Sequence, residues 1–274
     1  METVMLPNPH VVRRGAGTPV LFIHGNGVDH RLLSDLDDVF ASDDGDGWER
    51  IYVDLPGFGQ TPPLIGRGGL PDVTDWLDEL TSELIGSSSF AVVANSLGGL
   101  LARDLVARRP AQCLGMALLA PVVDPAHERR TVPERCVLVE DHDLLASIAP
   151  ADAVTYAEMA VLQSRENWLR FQRAALPGIT AADDDAMRRI GDLYELPHSN
   201  EDRLVLDRPV LVVAGKRDHI VGYEDQDALS RRFPRSTYAA LDGAGHNVHL
   251  DQPELVRALL REWRSAVTTE AAIA

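Results

Sequence analysis

Residues 90–102 read FAVVANSLGGLLA, and the role of the serine at position 96 decides the fold. The run 90–93 is apolar on both faces, as in a parallel strand covered by helices on each side. From Leu100 onward the apolar, helix-favouring pattern continues to Val106. A strand joined to a helix by so short a turn forces the apex residue into strained backbone angles. It leaves room only for small residues two before and two after the apex. Those positions hold Ala94 and Gly98, with Gly99 next. The helix that follows turns its unpaired N-terminal N–H groups toward the serine. The turn therefore presents Ser96 Oγ and places the Leu97 N–H to receive a developing oxyanion. The competing explanation is that small residues merely let a helix pack close to a sheet, so the rest of the chain has to decide.

Working outward, similar apolar runs recur at 19–25, 50–57, 115–121 and 209–215, with a weaker one at 236–243. Helical patterns of fitting length lie at about 30–41, 72–86, 97–109, 223–233 and 253–267. Alternation of this kind predicts a doubly wound α/β sheet. It is interrupted once, over 122–207, where helical segments at 151–176 and 181–196 stand instead and 137–148 fits helix or strand. The expected organisation is a core of residues 1–121 and 208–274 with a helical insertion at 122–207. The tail TTEAAIA reads as disordered.

The composition, 45% hydrophobic and 25% charged with a net charge of −16, is that of a folded chain whose field repels phosphate backbones and anionic lipid. Nucleic-acid and membrane partners are therefore not expected. The acidic residues are scattered or gathered in loop clusters such as SDDGDG. Neither cysteine, Cys113 or Cys136, belongs to a ligand-spaced pair, which predicts reduced, packed thiols and a cytoplasmic location. The start of the chain lacks the basic-then-apolar order of a signal peptide. No cofactor fingerprint and no metal-ligand spacing is found. The sequence does not decide between monomer and homodimer.

Three further stretches bear on Ser96. In LFIHGNGVDH (21–30) a glycine-flanked turn after a strand offers the Asn26 N–H as a second oxyanion donor. His24 reads there as a side chain that braces the loop. In VVAGKRDHIV (212–221) Asp218 follows a strand end, where an acid can orient an imidazole. Asp124, just past GMALLAP, is a rival acid. In LDGAGHNVHLDQPELV (241–256) His246 lies in a glycine-rich loop at the carboxyl end of the sheet, where open α/β sheets bind ligands. His249 reads as a surface residue. The order Ser96, Asp218, His246 is nucleophile, acid, base.

With these landmarks, and with DLPGFGQT (54–61) between them, the chain resembles the α/β-hydrolase superfamily over roughly residues 18–265. The resemblance implies the α/β-hydrolase fold: a mostly parallel eight-stranded sheet flanked by helices, a helical cap at 122–207, and a pocket between cap and core. It gives Asp54 a structural role. A serine where relatives of this fold that cleave haloalkanes or epoxides carry aspartate suits acyl transfer. Within the serine members, NSLGG is similar to hydrolases of meta-cleavage products, which split carbon–carbon bonds of vinylogous diketones. That likeness implies substrate contacts from Asn95 and from the cap stretch SRENWLRFQR, where Arg165 and Trp168 stand with Arg170 and Arg173. The expected function is hydrolysis of a small, partly apolar ester, lactone or vinylogous diketone without a cofactor. The alternative is a non-hydrolytic member of the fold, such as a cyclase, a lyase or a ligand receptor.

Overall fold

In the computed structural model, which describes residues 8–41, 46–66, 68–196 and 204–271, the chain begins with β1 (Val11–Arg14), β2 (Ala16–Ile23), α1 (Arg31–Ser34), α2 (Asp37–Phe40) and β3 (Asp46–Val53). Then come α3 (Leu70–Ile85), β4 (Phe90–Asn95), α4 (Leu97–Arg108) and β5 (Cys113–Leu119). Five helices follow: α5 (His142–Ser147), α6 (Pro150–Met159), α7 (Arg165–Ala174), α8 (Leu176–Ala181) and α9 (Asp184–Asp192). The chain closes with β6 (Val210–Gly215), α10 (Glu224–Ser230), β7 (Ser236–Leu241), α11 (Val248–Asp251) and α12 (Pro253–Ala271).

The strands form one sheet in the order β1-β3-β2-β4-β5-β6-β7. All neighbouring pairs are parallel except β1 with β3. The expected eight strands are thus corrected to seven among the described residues: residues 8–10 form no strand, and 1–7 and most of the SDDGDG loop lie outside that set. Every residue of β4, β5 and β6 is buried, which is why these strands are apolar on both faces rather than alternating. Because β2 to β7 run the same way, the loops after β2, β4, β6 and β7 all gather along one edge of the sheet.

Two helical readings need dividing. The pattern at 30–41 is α1 and α2, and the long segment at 151–176 is α6, α7 and the start of α8. Between α6 and α7 the chain runs extended, with Leu162 bridging Val139, so the ambiguous stretch 137–148 is a bridge residue followed by α5. Ser164 starts α7 by accepting the Asn167 N–H at 3.2 Å. The inserted helices share a cluster of Tyr156, Trp168 and Phe171. They sit against the loop after β2: a Cβ on Gly178 of α8 would fall 2.5 Å from the Asp29 nitrogen.

The tail is helical to Ala271, with the Thr268 and Thr269 hydroxyls bonded to the carbonyls of Arg264 and Ser265. The disorder expected from 268 onward is therefore corrected for 268–271, while 272–274 lie outside the described residues. Both cysteines are free; Cys113 is buried, and burial pushes its thiol up to about 12. Among the described residues no helix is long and apolar enough to cross a membrane.

Candidate active site

Ser96 is the apex of the β4–α4 turn, with φ 53° and ψ −120°. A non-glycine residue at positive φ is uncommon and costs of order 1–3 kcal/mol. The turn is held by the Ser96 N–H donating to Leu119 O at 3.1 Å and by its carbonyl accepting from Gly99 and Val122 at 2.9 Å each. Gly98 is required by proximity: a Cβ there would lie 2.3 Å from Ile23 O and 2.5 Å from His24 O, both backbone atoms. Gly98→Ala is accordingly expected to destabilise the fold by about 3 kcal/mol, because backbone has to move. Urea denaturation checks this, and a cost under about 0.5 kcal/mol would show that α4 does not rest on the end of β2.

The serine hydroxyl is 2.9 Å from His246 Nε2, and His246 Nδ1 is 2.9 Å from Asp218 Oδ2. Asp218 is fully buried, and its Oδ1 accepts the Ile220 and Val221 N–H groups at 2.9 and 3.1 Å. Those bonds fix the carboxylate, which leaves Oδ2 to accept a hydrogen bond from Nδ1–H and frees Nε2 to accept from the hydroxyl. The rival acid, Asp124, is engaged elsewhere: Arg129 binds it with two bonds of 2.7 Å, and those bonds hold its carboxyl below the usual range.

His24 braces its loop, as the sequence suggests. Its Nδ1 donates to Gly25 O at 2.7 Å, its Nε2 accepts the Leu55 N–H at 2.9 Å, and burial lowers its pKa. Gly25 lies against the turn; a Cβ there would meet Asn95 Oδ1 at 2.9 Å and Ser96 Cβ at 3.0 Å. This contact sets Asn26 beside Ser96, and both line the cavities described next. Leu97 opens α4, where an N–H has no intrahelical acceptor.

Two cavities meet at Ser96, one of about 700 Å³ and one of about 250 Å³. Asn95 borders the smaller, but its amide is spent on Leu119 O at 2.9 Å. The cap residues expected at the substrate are placed otherwise. Arg165 is exposed on α7, and Trp168 is buried among Tyr156 and Phe171; neither lines either cavity. Arg170 donates to Leu250 O at 2.7 Å and Arg173 pairs with Asp35. The reason is helical phase. Phe171, Ala175 and Ile179, four residues apart, are the members of this region that reach the smaller cavity. That spacing is visible in the sequence and is the signal that picks the correct face.

His249 is also corrected: α11 turns it inward, so it is buried and not on the surface. Neither ring nitrogen has a close hydrogen-bond partner among the described residues. Burial lowers its pKa to about 4, with the Leu32 backbone offsetting only part of that. Two residues on, burial raises Asp251 to about 6, although it accepts the Gly245 N–H and Asn167 Nδ2, each at 2.8 Å. The two groups oppose each other in acid. The unfolded chain protonates His249 near its ordinary 6.5 while the fold resists to about 4, so this contribution to stability is present above 6.5 and lost as pH falls. Asp251 contributes stability below its ordinary 3.8 that is lost as pH rises through about 6. His249→Phe is expected to remove the first effect, giving a variant that loses about 3 kcal/mol less than the parent between pH 6.5 and 4. Urea titrations across that range check it; parallel pH profiles would contradict it.

Among the described residues one cluster of potential metal ligands is brought together that the sequence separates. His10 Nδ1 and His30 Nδ1 lie 2.7 and 2.8 Å from the two oxygens of Asp54. The same carboxylate accepts the His30 and Gln60 N–H groups at 2.9 and 3.0 Å. Burial would raise its pKa, but the His30 and Gln60 bonds hold it well below the usual range. With four donors its lone pairs are filled, so the arrangement fits a brace between the turns at 30 and 54–60 better than an ion site.

The profile of the "Alpha/beta hydrolase family" matches residues 20–259. A pimeloyl-[acyl-carrier protein] methyl ester esterase of Shewanella sp. is 26% identical over 187 residues, 68% of this chain. The match spans 61% of that esterase's own length. An (E)-2-((N-methylformamido)methylene)succinate hydrolase of Acinetobacter baylyi is 24% identical over 96% of this chain and 97% of its own. Among solved structures, an alpha/beta superfamily hydrolase from Oenococcus oeni superposes with a TM-score of 0.87 at 25% identity, covering 95% of this chain and 96% of that one.

Proposed function

Because the chain belongs to the α/β-hydrolase family, we propose that it is a serine hydrolase that cleaves a small, partly apolar ester through an acyl-enzyme on Ser96. The observation that carries this reading is the line Ser96 Oγ–His246 Nε2–Asp218, closed by two contacts of 2.9 Å. As Oγ attacks the carbonyl, Nε2 takes its proton, and the buried Asp218 holds the imidazole tautomer and stabilises the imidazolium. The Leu97 and Asn26 N–H groups receive the oxyanion. The tetrahedral adduct then collapses: the carbon–oxygen bond to the alcohol breaks, and His246 gives the alcohol its proton. Water, deprotonated by the same nitrogen, hydrolyses the acyl-enzyme and restores the serine.

An ester is favoured over a carbon–carbon substrate because Arg165 and Trp168 stay off the cavity walls, and because a relative is named as a methyl ester esterase. The test is rapid acid quenching during turnover of a hindered pivaloyl ester, followed by peptide mass spectrometry. The acyl group is expected on the peptide that contains Ser96. Turnover with the acyl group on another residue, or on none, would count against the covalent route.

A further inference from the structure

Ser96 lies between two chambers that differ in size and in polarity. Asn26, Ser96, Met159 and His246 line both, so a carbonyl held at the hydroxyl has to send its two substituents different ways. The chamber of about 250 Å³ is walled by Val28, Leu32, Phe171, Ala175 and Ile179, with Thr155 and the exposed Glu158 as its side-chain polar members away from the serine. The chamber of about 700 Å³ is mixed: His127, Glu128, Arg130, Asp192, Tyr194 and Glu195 stand beside Val122, Leu193, Ile220 and Val221. Of its polar members, His127, Glu128, Asp192 and Glu195 are exposed, so this chamber opens to solvent.

Resting on the serine-hydrolase reading above, we propose that the small chamber holds the acyl arm and the large one the alcohol. The substrate class is then an oxygen ester of a compact aliphatic or aryl acid with a larger, polar alcohol. The order of events sets the direction. The alcohol has to leave, and water has to enter, while the acyl group stays bonded to Oγ. The larger, more polar chamber serves departure and entry; the smaller, mostly apolar one holds the acyl group in place. Size sets the limit. A dry cavity of about 150 Å³ takes benzene, so the smaller chamber accepts an acyl arm of about ten non-hydrogen atoms. Ala175 and Ile179 are the specificity-determining positions. Ala175 sits at the junction of α7 and α8 and Ile179 lies on α8, and both bound the chamber.

The test is kcat/KM for a series of p-nitrophenyl esters from acetyl to dodecanoyl, run on the parent, Ala175→Leu and Ile179→Ala, alongside fluorophosphonate labelling. The parent is expected to fall at least about tenfold beyond octanoyl. Ala175→Leu moves that break to shorter chains and Ile179→Ala to longer ones. With one acyl group fixed, changing the alcohol from methyl to a bulky polar one leaves the ranking of the three proteins unchanged. A flat chain-length profile, or a break that follows the alcohol instead, would overturn the chamber assignment, and the Ile179→Ala result decides should Ala175→Leu fail to fold. Labelling without turnover of any ester would overturn the assignment and leave the serine reading standing. Neither labelling nor turnover would overturn both.

Discussion

Ser96→Ala is expected to lower ester turnover by about 10⁵-fold while the fold stays intact. Among the described residues the side chain makes one hydrogen bond, the 2.9 Å contact to His246 Nε2, so its removal costs stability only about 1 kcal/mol. The turn itself is held by backbone bonds to Leu119, Gly99 and Val122, which the substitution leaves in place. On the proposed mechanism the residual rate reflects binding and the Leu97 and Asn26 N–H groups acting on water alone. Steady-state kinetics and urea denaturation on the same preparation separate the effects. A variant that keeps a tenth of the activity would contradict the assigned nucleophile.

Asp218→Asn is expected to lower kcat by about 10⁴-fold with little change in KM, because the defect lies in the proton and not in substrate contact. The amide oxygen can keep the Ile220 and Val221 N–H bonds that now fall on Oδ1. The amide nitrogen then faces His246 Nδ1, which must present its lone pair. The ring is left with its proton on Nε2, pointing at Ser96 and unable to accept from it. Asp124→Asn provides the contrast: its carboxylate serves Arg129 and Ala126, so activity is expected to stay within about threefold of the parent. Equal losses in the two variants would mean the imidazole is oriented otherwise.

Much of this was legible in the residues. The β4–α4 turn was readable because buried strand, small flanks and helix leave the serine one place to be, and its positive φ is the physical trace of that constraint. That Asp218 and His246 come together beside Ser96 was readable because each follows an apolar run at the end of the sheet where parallel strands finish. β1 was not: it is four residues long, half-exposed and at the sheet edge, so it lacks the apolar signature. Arg165 and Trp168 were misplaced because a stretch such as SRENWLRFQR tells that a helix forms, not how it is rotated against the core. Once Ser164 caps α7, Trp168 faces inward with Phe171 while Arg165 stays in solvent. His249 was misjudged because the loop after His246 winds into α11, which no local pattern announces.

The most direct test of the central claim is the intact mass of the protein after treatment with a fluorophosphonate, for the parent, Ser96→Ala and His246→Ala. One adduct is expected on the parent and none on either variant, since the hydroxyl reacts only where His246 can take its proton. A parent that stays unlabelled, or a Ser96→Ala variant that labels as fast as the parent, would contradict that claim.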